Sequence, residues 1–136
     1  MPPGKRAMKG INDSKQLSAR QRNELVLLIR ERALAIGIGA ASVREIDRFN
    51  IYQASVLAIR RALARLGLAP DHVVVDGKAI RTLSTAHTAV VHGDARCYSV
   101  ACASIVAKVT RDRVMRALAV RHPGYLWDHN MGYATK

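Results

Sequence analysis

Cysteine is nearly absent from this chain, which holds two among its 136 residues, Cys97 and Cys102. They lie five apart in a stretch that reads as helix and so point in different directions. That suits a reducing compartment and a small-residue core, and it excludes a disulfide scaffold. The five histidines, His72, His87, His92, His122 and His129, show no C-x-x-C or H-E-x-x-H partner spacing, which argues against a zinc site. No apolar run approaches the roughly 18 residues of a membrane span. The opening residues lack the hydrophobic region of a signal peptide. The expectation is a cytoplasmic chain, a monomer with no membrane contact. Acidic residues are also in short supply, ten against twenty-two basic ones, for a net charge of +12. The basic excess recurs in every third of the sequence and forms no tail. A spread of that kind favours a polyanionic partner, because neutralising phosphates releases counterions.

What is present suffices for one domain: 49% apolar content and enough length for a real core. Ser18 with Gln21 three residues on forms a capping box for a helix reaching Gly37, with Leu25, Leu28, Ile29, Arg32 and Ile36 on its stripe. Residues 36–41, short, apolar and glycine-containing, read as a strand. Ser42 and Glu45 form a second capping box for a short helix over 43–49, and Asn50 can cap a third helix over 51–66. Its buried stripe is expected to be Ile51, Ala54, Ala58, Ala62 and Leu66, with Arg60, Arg61 and Arg65 largely off it. Gly67 and Pro70 end that helix.

The stretch from Val73 to Arg113 organises the rest. Three consecutive valines, Val73, Val74 and Val75, read as a short, doubly buried strand that delivers Asp76 to its exit. Asp94 follows a second β-branched run, 88–91, so both carboxylates can reach one edge of a sheet. Paired carboxylates at strand ends hold hard divalent cations against a phosphodiester. The plainer reading of Asp76-Gly77 is a turn, since Asp bonds its own backbone and Gly accepts positive φ. A helix over 97–122 then begins with small apolar residues on nearly every face, as a helix lying close to a sheet must. Farther on it turns basic at Lys108, Arg111, Arg113, Arg116 and Arg121, and Asp112 within that run reads as an internal ion-pair partner. This alternation of strands and helices argues for an α/β fold.

The segments D-S-K-Q-L (13–17), I-G-A-A-S (38–42), E-I-D-R-F-N-I-Y-Q-A (45–54), V-D-G (75–77), H-G-D (92–94), A-S-I-V-A-K-V-T-R-D-R (103–113) and G-Y-A-T (132–135) follow one another as in bacterial ribonuclease HII, which the chain resembles over almost its whole length. The resemblance implies a single partial ribonuclease HII catalytic domain over 1–136. Its fold would be an RNase H-like mixed sheet flanked by helices, lacking the opening strands and the C-terminal helices. It implies an endonuclease that cuts RNA in RNA/DNA hybrids, or DNA at single embedded ribonucleotides, on the 5′ side of the ribonucleotide. Two Mn²⁺ or Mg²⁺ ions would serve as cofactors, with Asp76 and Asp94 as catalytic metal ligands. Tyr133 would stack on the sugar at the RNA–DNA junction. Lys15, Asn50, Gln53 and Lys108 would contact nucleic acid, with helix capping the alternative for Asn50 and a solvated amide that for Gln53. The family's adjacent Asp-Glu pair and Gly-Arg-Gly turn have no counterpart here, Gln16 stands where a second lysine is usual, and His92 replaces a lysine. The alternatives are a non-catalytic hybrid-binding module or an unstable fragment.

Overall fold

The computed structural model describes residues 17–121. Their order is α1 (Ala19–Arg32), α2 (Val43–Phe49), α3 (Ile51–Ala64), β1 (Val73–Asp76), β2 (His87–Val90), α4 (Gly93–Arg96) and α5 (Tyr98–Arg121). Both capping boxes form. Ser18 Oγ accepts from the Gln21 N–H at 3.2 Å while the Ser18 N–H donates to Gln21 Oε1 at 2.9 Å. Ser42 and Glu45 repeat the exchange at 3.2 and 3.0 Å. Each satisfies two amide donors that the first turn of a helix leaves free.

Two apolar clusters hold these elements. Val26 and Ile29 of α1 pack on Ala101, Cys102, Ile105, Val106 and Val109 of α5. Val56 of α3 packs on Val75 of β1 together with Ile80 and Leu83 of the β1–β2 connection. α5 also touches β1 and α4, so it joins the two halves and occupies the central place expected of it. Between α1 and α5, buried Asp112 faces Arg22 at 3.7 Å and Lys108 at 3.4 Å. It is the internal ion-pair partner that its basic surroundings implied.

β1 and β2 are parallel, with Val73 opposite His87 and Asp76 opposite Val90. Parallel neighbours usually need a helical crossover, but here residues 77–86 make the link without one and are fastened by side chains. The Ile80 N–H donates to His87 Nε2 at 3.1 Å, which leaves the proton on Nδ1 to reach the Thr85 carbonyl at 3.0 Å. Arg60 of α3 donates to the Thr82 carbonyl at 2.5 Å.

Several expectations need correction. α1 stops at Arg32, not Gly37, because Ala33 turns to extended backbone (φ −71, ψ 140). Its seam runs through Val26 and Ile29 and leaves Leu28 exposed, because α5 meets α1 on that side only. Ile51, expected in the buried stripe of α3, is 66% exposed, since it opens the helix where no neighbour among the described residues covers it; Ala54 is buried as expected, and Val56, outside the expected stripe, is buried as well. α3 closes at Ala64, with Arg65 as its cap.

Residues 36–41 do not form a strand, although the run has no helix, turn or bend. A Cβ at Gly37 would strike the Ala62 carbonyl and Leu66 backbone, and one at Gly39 the Ala58 carbonyl and Ala62 amide. Two residues along the run thus match four back along α3, about 6.6 Å of extended chain against about 6 Å of helix. The run is therefore extended and antiparallel to α3. Arg65 donates to the Ile38 carbonyl at 3.1 Å and Arg61 to the Ala40 carbonyl at 2.8 Å, repeating the same two-to-four match. What it lacks, among the described residues, is a strand to pair with.

Candidate active site

β1 ends on Asp76, and the chain turns away at once through Gly77, whose φ of +113 is open to glycine and costly for other residues. The Gly77 N–H closes the ladder on the Val90 carbonyl at 3.0 Å. β2, beside it, leaves through Val91 to His92, which adopts the left-handed conformation (φ 55, ψ 43) and opens α4. For a residue with a side chain that conformation costs about 1 kcal/mol. It aims the next amide at β1: the Gly93 N–H donates to Asp76 Oδ1 at 2.9 Å.

Only glycine fits there without displacement, because a Cβ at position 93 would lie 3.3 Å from Asp76 Oδ1 and 3.1 Å from Val100 Cγ1 of α5. Asp94 follows at one Cα step, about 3.8 Å, and is 7% exposed in the first turn of α4, whereas Asp76 is exposed. The structure thus brings the two sequence-predicted carboxylate residues to one edge, joined through the Gly93 amide. Their oxygen donors suit a hard divalent cation. Among the described residues no group of three or more His, Cys, Asp or Glu that could hold a metal ion gathers.

The remaining predicted site residues are elsewhere. Asn50 caps α3, with φ +91 and its Oδ1 accepting from the Gln53 N–H at 2.9 Å; both residues are exposed. Lys108 is half-buried in the ion pair with Asp112. Lys15 and Tyr133 lie outside the described residues. Sequence reasoning missed the part played by Gly93, and missed His87 as the fastener of the connection behind the site. The tripeptide His-Gly-Asp after a strand was the available signal for the first. A residue able to turn left-handed, followed by glycine, is how a chain brings an amide against a neighbouring strand end. Away from this edge, Glu45 accepts both guanidinium bonds of Arg61, at 2.7 and 2.6 Å. That pairing, helped by the Ser42 amide, lowers its carboxyl from 4.5 to about 2. Burial pushes the Cys102 thiol up, and both cysteines are free, as their spacing required.

The family model for ribonuclease HII matches residues 5–136. A ribonuclease HII of Thermosynechococcus vestitus is 54% identical over 127 residues, covering 92% of this chain and 58% of that protein. That of Gluconobacter oxydans is 52% identical over 136 residues, covering 98% and 65%. The chain therefore spans about three fifths of the length of these relatives. The crystal structure of the ribonuclease H2 from Pyrococcus horikoshii OT3 superposes with a TM-score of 0.64 at 26% identity, over 83% of this chain and 60% of that one. Among the described residues no helix is long and apolar enough to cross a membrane.

Proposed function

Since the chain belongs to the ribonuclease HII family, we propose that it serves hydrolysis of RNA paired with DNA, and of DNA at single embedded ribonucleotides, on the 5′ side of the ribonucleotide. The observation that carries this reading is the bond from the Gly93 amide to Asp76, which sets the exit of β1 against the turn that bears Asp94. Asp76 and Asp94 would hold Mn²⁺ or Mg²⁺. Such ions, when bound, polarise the phosphoryl oxygen and lower the pKa of the attacking water. The chain's own contribution is positional. Gly93 fixes one Asp76 oxygen and leaves the other available, β1 and β2 hold the rim rigid through their ladder, and burial keeps Asp94 in place. The net charge of +12 favours association with the polyanionic duplex. Lys15, Asn50, Gln53, Lys108 and Tyr133 remain the proposed nucleic-acid contacts, and the setting a monomer in the cytoplasm.

The test is metal-dependent nicking of a DNA duplex bearing one ribonucleotide, with the 136-residue chain in Mn²⁺ and in Mg²⁺. Nicking 5′ to the ribonucleotide is expected, reduced by about 100-fold or more in Asp76→Asn and in Asp94→Asn while circular dichroism is unchanged. Undiminished nicking by both variants would remove these carboxylates from the site. The absence of a third donor among the described residues favours a second reading, a module that binds the hybrid without cutting. Its signature is salt-sensitive binding of the same duplex with no nick in either metal.

A further inference from the structure

The connection from β1 to β2 starts at the rim of the site and is anchored twice within four residues. Gly77, at φ +113, turns the chain off the sheet while its N–H stays on the Val90 carbonyl at 3.0 Å. Three residues on, the Ile80 N–H is held by His87 Nε2 at 3.1 Å, and the Ile80 side chain is buried with Val56, Val75 and Leu83. His87 is itself fixed, as a residue of β2 whose Nδ1 reaches the Thr85 carbonyl at 3.0 Å. Only Lys78 and Ala79 lie between the two anchors, and both are exposed. The result is a short braced arch that carries one cation within two Cα steps, at most about 7.6 Å, of Asp76. Several cations elsewhere in the fold are engaged by the chain itself, Arg60, Arg61 and Arg65 by carbonyls, Arg22 and Lys108 by Asp112. At the same rim Arg96 donates to the Val91 carbonyl at 3.4 Å. Lys78 has no hydrogen-bond or ion-pair partner among the described residues, Asp76 included.

We propose that Lys78 contacts a backbone phosphate of the duplex, on the ribonucleotide-bearing strand and next to the scissile phosphate, and that His87 is the positioning residue that holds it there. The contact rests on the nuclease function proposed above. Asp76 and Asp94 suit divalent cations against the scissile phosphate, which leaves the phosphates beside it to the chain's own charges. A lysine presents a compact point charge with three donors, suited to a phosphate oxygen and indifferent to base identity. The brace matters because a charge on a loose loop gives up backbone freedom when it binds. On an arch fixed at the Gly77 and Ile80 amides, only the freedom of the lysine side chain is lost. His87 acts through Ile80 and touches no substrate, so its effect must pass through Lys78.

The test is fluorescence anisotropy of a labelled DNA duplex with one ribonucleotide, bound by the full 136-residue chain across a salt series, with EDTA present so that no nicking occurs. Lys78→Gln should weaken binding about tenfold and lower the slope of log Kd against log salt by about 0.9. Circular dichroism should be unchanged, because the side chain is exposed, and Lys78→Arg should restore most of the affinity. A neutral methylphosphonate at one position next to the scissile phosphate should erase the difference between the native chain and Lys78→Gln. His87→Leu, which frees the Ile80 amide, should weaken binding about threefold in the native chain and not at all on top of Lys78→Gln. His87→Gln, whose side-chain oxygen can accept the same N–H, should rescue it. Arg81→Gln removes a charge beyond the Ile80 anchor and should cost about twofold, without dependence on any single phosphate. Unchanged affinity and slope in Lys78→Gln, an equal loss in Arg81→Gln, or a difference that no methylphosphonate erases overturns the contact, and a His87→Leu loss that persists on Lys78→Gln overturns the positioning role. No binding by the native chain would overturn the nuclease function and the contact with it, whereas native binding that Lys78→Gln leaves intact overturns the contact alone.

Discussion

Residues 36–41 and strand β1 are both short, apolar and extended, yet they are held by different means. β1 is secured by backbone: Val73 to Asp76 pair in parallel with His87 to Val90, and the ladder ends at the Gly77 amide. The 36–41 run is secured by side chains. Its glycines lie on the backbone of α3, and two arginines four residues apart take alternate carbonyls. The comparison teaches that extended conformation and sheet membership are separate properties. The first follows from the local run of residues, and the second requires a neighbour to bring its own free backbone groups.

The sharpest way to break the comparison is Gly39→Val. A branched side chain fits a laddered strand, but here its Cβ would strike the carbonyl of Ala58 and the amide of Ala62, which are backbone atoms that no rotamer change relieves. A loss of at least about 3 kcal/mol is expected, read from the denaturant midpoint. Val75→Ala should cost less, about 2 kcal/mol. It empties part of the Val56–Ile80–Leu83 cluster but leaves every ladder hydrogen bond in place. A cost above that of Gly39→Val would show the packing on α3 to be loose.

The smallest effect should come from pH, acting through the glutamate beside the arginine-held run. Arg61 holds the Ala40 carbonyl and Glu45 together, and folding lowers the Glu45 carboxyl from 4.5 to about 2. A depressed carboxyl contributes stability that is complete above 4.5 and is lost as pH falls toward 2. Thermal melts across that window should therefore decline more steeply for the native chain than for Glu45→Gln. Equal slopes would separate Glu45 from the fastening of this run.

The local devices were legible because their chemistry is contained within a few residues. Ser18 with Gln21 and Ser42 with Glu45 cap their helices as read, and Asn50 caps α3. The long helix begins within one residue of its expected start and runs to Arg121, the last described residue, and the second strand is displaced by one, over His87–Val90. Reading failed where a neighbour decided. Leu28 and Ile51 have the periodicity of buried residues, but α5 meets α1 along Val26 and Ile29, and among the described residues none covers Ile51. Arg60, Arg61 and Arg65, read as lying off the stripe, turned out to fasten two irregular segments. For the site, the position of Asp76 at a strand exit and that of Asp94 shortly after a second strand followed from their β-branched approaches, but the Gly93 amide that sets the two segments together did not.

By itself the sequence determined the caps, the extended runs, the strand-end carboxylates and the family, because each is written in contacts between near neighbours or in ordered motifs. Tertiary structure alone decided which extended run became a strand, which helix face was buried, and that a left-handed His92 aims Gly93 at Asp76. Those outcomes depend on groups far apart in the chain arriving within a few ångströms of one another, and the packing of α3 and α5 is what sets that arrival.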